Sequence, residues 1–160
     1  MTPGVEARDN WWYGNCYMAY GLAETESETD GAPNEISFYM GENYRIKNVN
    51  FRRFSIRMDG FFSWFAPYRG GEVLTKPITV DGNALHINFA TSALGSIEIA
   101  LCDEDGKELE GYCSYTMFGN SIDRPVEFEK PLDDLCGKQV RLKIKMKDAH
   151  LYSFCFIDER

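Results

Sequence analysis

Residues 140–157 read V-R-L-K-I-K-M-K-D-A-H-L-Y-S-F-C-F-I. Val140, Leu142, Ile144 and Met146 alternate with Arg141, Lys143 and Lys145, the period of two that sends successive side chains to opposite faces of a strand. The apolar set needs a core and the cationic set needs water, so this is a strand with one wet face. Asp148-Ala149 then reads as a turn. Leu151–Ile157 reads as the last strand, with Cys155 alternating onto its buried side.

Working back from this pair, the same rhythm recurs. Leu85, Ile87 and Phe89 share one face of a strand over Ala84–Phe89. Ser96–Leu101 and Lys107–Tyr112 read as a hairpin about the acidic tip Asp103-Glu104-Asp105-Gly106. Val126–Phe128 is a short strand, and Leu132–Leu135 one helical turn before Gly137. Pro77 cannot donate to a ladder, so Glu72–Val80 is expected at a sheet edge or bulge. Roughly eight or more short strands, with turn signals about every eight to twelve residues, indicate an all-β fold. The expected architecture is a jelly-roll-like β-sandwich over residues 51–160.

Residues 52–81 organise the rest. Phe54, Ile56 and Met58 alternate with Arg53, Ser55 and Arg57, and Asp59-Gly60 offers a tight turn. The run Phe61–Phe65 is apolar on both faces, with Phe61 and Phe65 opposed to Phe62 and Trp64. One face belongs in the domain's own core. The other requires a cover: more of this chain, a neighbouring domain or a sugar ring.

The first fifty residues form an N-terminal β-hairpin arm in this reading. Asn10–Gly21 supplies one strand, broken or not at Gly14, and Glu35–Gly41 another. Glu24–Pro33 loops between them, and residues 42–50 are polar and irregular. A lone hairpin is marginal in water, so the arm must dock on something.

Bulk composition narrows the possible functions. With 25 acidic and 17 basic residues the net charge is −8, which disfavours nucleic acid and anionic membrane as partners. No apolar run is long enough to span a bilayer, and the N-terminus lacks the apolar segment of a secretion signal. Five widely spaced cysteines without a C-x-x-C pair fit reduced, structural thiols and a cytoplasmic or otherwise reducing setting.

No catalytic constellation is legible. His86 and His150 lack the spacing of a metal or general-base motif, and the acidic tip lacks that of an EF-hand. The chain also has no nucleophile elbow and no phosphate loop. Catalytic residues, metal ligands and cofactors are therefore all assigned as none. The aromatic residues are the richer signal. Trp64 and Tyr68, which flank a turn, and Trp11 and Trp12 in the arm are the candidate carbohydrate-binding residues, because aromatic faces stack on the C–H faces of sugars. Most of the chain's aromatic residues read as core or inter-module packing.

Four strings carry a family resemblance: R-M-D-G-F-F-S-W (57–64), G-G-E-V-L-T-K-P-I-T-V-D-G (70–82), G-S-I-E-I-A-L-C-D-E-D-G-K (95–107) and V-R-L-K-I-K-M-K-D-A-H-L-Y-S-F (140–154). They resemble the C-terminal β-sandwich that follows five-bladed β-propeller catalytic domains of glycoside hydrolase families 32 and 43. The likeness covers about two thirds of the chain. W-W-Y-G-N-C-Y-M-A-Y-G and N-E-I-S-F-Y-M-G-E-N-Y are similar to strands of the last propeller blade, so residues 1–50 would be a remnant of it. No position matches the family's catalytic Asp and Glu motifs. The resemblance implies a non-catalytic accessory module of a glycoside hydrolase that braces the propeller and contacts carbohydrate. Its partners would be the preceding propeller domain or a second copy of the chain, and an oligosaccharide. The alternative is a free-standing, lectin-like carbohydrate-binding module, favoured if an aromatic platform is exposed.

Overall fold

The structure, a computed structural model, describes residues 16–43 and 49–159. The chain divides into two compact units, residues 1–58 and 59–160. Among the described residues every regular element is a strand except one short 3-10 turn.

The first unit is a three-stranded antiparallel sheet of β1 (Ala23–Thr25), β2 (Glu35–Glu42) and β3 (Asn50–Arg57), in that order. The apolar faces of β2 and β3 set their register, with Ile36 opposite Ile56 and Phe38 opposite Phe54. The two phenylalanine rings stack at 5.9 Å. Residues 16–19 run along β2 as well, through Cys16 N–H to the Gly41 carbonyl at 2.9 Å and Ala19 N–H to the Tyr39 carbonyl at 2.8 Å. The arm expected from the sequence is therefore present as far as it is described. It gains β3, which the sequence reading had placed at the start of the sandwich. Asp59-Gly60 does not close a hairpin, because β3 pairs with β2 and the segment after the turn pairs elsewhere.

The second unit is an antiparallel β-sandwich made from one strongly curled sheet. Its strands are β4 (Trp64–Ala66), β5 (Gly71–Leu74), β6 (Ile78–Thr79), β7 (Ala84–Cys102), β8 (Glu108–Cys113), β9 (Asn120–Pro125) and β10 (Gln139–Ile157). The long strands β7 and β10 pair along their whole length, from Ala84 with Ile157 to Cys102 with Arg141. Strands β4 and β9 flank one half of this ribbon, and β5, β6 and β8 flank the other. Each predicted strand pair, 84–89 with 96–101 and 140–146 with 151–157, is thus one continuous bent strand. The expected turn at Asp148-Ala149 is a bulge, with Asp148 at φ 43° and its N–H bonded to the Pro67 carbonyl. Opposite it lies Gly95, where a Cβ would stand 2.4 Å from the Asp148 carbonyl oxygen, so only glycine permits this approach.

A second register shift follows. Leu151 pairs with Phe89 and Ser153 with Asn88, which leaves Tyr152 as the extra residue. Because side chains alternate, one extra residue reverses every face beyond it. Phe154 and Phe156 therefore pack on the core, and Cys155 turns outward and is exposed, correcting the buried position expected for it. The core itself joins both halves of the ribbon: Leu85, Ile87 and Phe89 of β7 meet Leu142, Ile144 and Leu151 of β10. Each such side chain contributes roughly 1.5–3 kcal/mol on leaving water.

Elsewhere the strands follow the sequence with local exceptions. The break at Pro77 separates β5 from β6, both laid on β10. The hairpin tip is closed by Asp103, whose Oδ1 accepts the N–H groups of Asp105 and Lys107. Leu132–Leu135 is the 3-10 turn, burying both leucines. Phe61 ends a turn and Phe62 lies in irregular chain rather than a strand, and only Trp64–Ala66 of this run pairs. Strand β9 replaces the predicted Val126–Phe128.

Candidate functional site

Strand β4 lies antiparallel to β10, with Trp64 opposite Leu151 and Phe65 opposite His150. Beyond Leu151 the Tyr152 bulge alters the course of β10 just as the chain before β4 leaves the sheet. Between them opens a groove of about 390 Å³, lined by Phe62, Ser63 and Trp64 on one side and Leu151, Tyr152, Ser153 and Phe154 on the other. Trp64 and Phe154 form its aromatic floor, with ring centroids 6.5 Å apart. Phe62 stands at the rim, 87% exposed, and Trp64 is 43% exposed.

The lining carries the hydroxyls of Ser63, Ser153 and Tyr152 and the indole N–H of Trp64, and both serines are hydrogen-bonded to residues outside the lining. Ser153 Oγ donates to Asp59 Oδ2 at 2.8 Å. Ser63 Oγ meets His150 Nδ1 at 2.8 Å. The His150 ring is itself packed between Phe65, 4.7 Å away, and Tyr152, stacked at 5.9 Å. The arrangement can place an apolar ring face against Trp64 and offer hydrogen bonds at its edge. None of the seven lining residues is a carboxylate, and Asp59 is bonded to one of them, Ser153.

Of the residues singled out from the sequence, Trp64 sits in the groove. Tyr68 does not line it: its exposed ring packs under the ammonium of Lys147, 4.3 Å from the centroid. Trp11 and Trp12 lie outside the described residues. Tyr152, Ser153 and Phe154 were not anticipated, since their approach to Trp64 depends on strand pairing across most of the chain.

A second cluster lies on the outer face of β7. His86, 6% exposed, meets Asp123 Oδ1 with Nδ1 at 2.5 Å and Glu159 Oε1 with Nε2 at 2.8 Å. Burial alone would lower its pKa, but the hydrogen bonds to both carboxylates and their attraction outweigh it, and the pKa is raised. With both ring nitrogens engaged, His86 has no free position to act as a base toward a third group. The two carboxylates sit on opposite sides of the ring and do not converge on one ion. Among the described residues no group of three or more His, Cys, Asp or Glu side chains is placed to hold a metal ion. On the other half of the ribbon Glu108 Oε1 and Lys143 Nζ, 3.1 Å apart, form a surface ion pair that lowers the carboxyl pKa and raises that of the amine.

No known protein family, curated protein or solved structure matches this chain. The resemblance to the tail of propeller hydrolases is carried by the quoted strings alone.

Proposed function

We propose that residues 59–160 are a non-catalytic carbohydrate-binding module, using the groove floored by Trp64 and Phe154. The observation that carries this reading is the exposure of the aromatic residues: Phe62 and Trp64 face solvent at 87% and 43%. A sandwich that merely needed core would bury them, since uncovered apolar rings carry a hydration cost that function must offset. Sugar rings present C–H faces to an indole and hydroxyls to serines, and the groove supplies both partners. The sequence resemblance to the tail of propeller-type glycoside hydrolases supports the same ligand class.

A second reading has its own support. Phe61, Phe62 and Phe65 are 53%, 87% and 58% exposed and carry no polar atom, which suits a protein neighbour better than a sugar. In that reading the module braces a catalytic propeller domain, as the resemblance implies. One experiment separates the two. The chain is retained on insoluble polysaccharide in a pull-down and Trp64→Ala is not, in the binding reading. If no polysaccharide retains the chain, but a propeller hydrolase domain does in a Phe62-dependent manner, the brace reading replaces it.

A further inference from the structure

The groove's polar groups differ from a generic sugar site in their charge, and this bears on which sugars it takes. We infer that it selects uncharged, hydroxyl-rich saccharides and turns away those bearing carboxylates. This rests on the carbohydrate reading above.

Three observations support the selection. None of the seven lining residues is charged, so no ammonium or guanidinium among them can pair with an acidic sugar. Lys147 of β10 is engaged with the Tyr68 ring and is not part of the lining. Ser153, which is part of the lining, donates its one hydroxyl proton to the Asp59 carboxylate. Its oxygen therefore faces the groove as an acceptor and requires a ligand that donates. A sugar hydroxyl does so. A uronate carboxylate has no proton to give, and it would be brought beside the Asp59 carboxylate, whose like charge repels it. The chain's net charge of −8 adds to this at longer range.

Asp59 thus acts as a specificity-determining residue although it does not itself line the groove. Its backbone lies in the left-handed region, at φ 55°, which asparagine tolerates nearly as well as aspartate. Asp59→Asn removes the charge, keeps an acceptor oxygen for Ser153 and preserves the turn.

The test uses charge-matched ligands. Arabinan, galactan, inulin and hydroxyethyl cellulose, each with its own derivative oxidised at primary hydroxyls to carboxylates, are set in native affinity gels with the full chain, Asp59→Asn and Ser153→Ala. The wild type is retarded by at least one neutral polymer, and at least tenfold less by its oxidised form. In Asp59→Asn the ratio of retardation by the neutral polymer to that by its oxidised form falls to about threefold or less. Ser153→Ala loses neutral binding without gaining the other. Equal retardation by a neutral polymer and its oxidised form, or unchanged discrimination in Asp59→Asn, overturns the inference and leaves the carbohydrate reading standing. Retardation by none of these polymers overturns both.

Discussion

His86 Nε2 and Glu159 Oε1 lie 2.8 Å apart across 73 residues of sequence, joining β7 to the chain just after β10. Asp123 of β9 occupies the other ring nitrogen. A neutral imidazole donates from only one nitrogen, so satisfying both carboxylates requires the imidazolium. Asn83 reinforces the same junction, exchanging hydrogen bonds with the Glu159 backbone at 2.7 and 3.0 Å.

This clasp makes stability depend on pH. The pKa of folded His86 lies above its ordinary value of 6.5, so the clasp's contribution is fully present below about pH 6.5 and is lost as pH rises through the folded value. Hydrogen bonds to charged partners contribute about 1.5–3 kcal/mol. Asp123 and Glu159 are 69% and 55% exposed, so solvent screening reduces this to about 1 kcal/mol. Urea unfolding at pH 6 and pH 9 should show wild type losing its advantage over His86→Asn at the higher pH. Parallel profiles for the two proteins would refute the clasp.

Core and groove aromatics should respond differently to truncation. Ile144 is fully buried, and Ile144→Ala is expected to cost about 2–5 kcal/mol. Trp64, 43% exposed, has less to lose than a fully buried ring, and Trp64→Ala should fall below the roughly 3–5 kcal/mol of an emptied aromatic core site while abolishing polysaccharide binding. Denaturant midpoints for both variants decide it. A loss at Trp64 as large as that at Ile144 would mean that its ring serves the core.

At the bend of the long ribbon, Gly95→Ala would press a methyl group onto the Asp148 and Lys147 carbonyls, at 2.4 and 2.8 Å. Backbone cannot yield as a side-chain tip does, so we expect a loss of about 2 kcal/mol or more. Gly71→Ala is the control: its Cβ meets only the Ala66 methyl at 3.6 Å, and stability should stay within about 0.5 kcal/mol. Thermal unfolding of the two variants side by side gives the comparison, and equal midpoints would show that the bend is not held at Gly95.

The thiols should sort by position. All five are free thiols; Cys102 is buried, whereas Cys113, Cys136 and Cys155 are exposed. Burial, with Asp123 and Asp59 nearby, pushes the Cys155 thiol up, so its alkylation should be slow at pH 7 and accelerate by pH 9. Cys102 should react only after unfolding. Peptide mapping after timed alkylation reads this directly, and native labelling of Cys102 at the rate of Cys155 would contradict the register of β10.

Elements whose cause is local are legible in the residues alone. Val140–Met146 is a strand because its apolar and charged residues alternate, and that pattern needs no partner to be read. Pro77, the Asp103 hairpin tip and the Leu132–Leu135 turn are legible for the same reason: each acts through its own backbone. Trp64 was visible as a binding candidate from its residue type and its place in a doubly apolar run.

Tertiary structure decided whatever depends on pairing between distant strands. Nothing local marks Tyr152 as the extra residue, because a bulge is a mismatch between β10 and β7. Yet it decides that Phe154 faces the core and the groove while Cys155 faces outward. Asn120–Pro125 is too polar to announce a strand, and becomes one because β7 presents an open edge. The Ser153–Asp59 and His86–Glu159 contacts span 94 and 73 residues. Their geometry exists only once the curled ribbon has brought those segments together, since hydrogen bonds act over about 3 Å and not along the sequence.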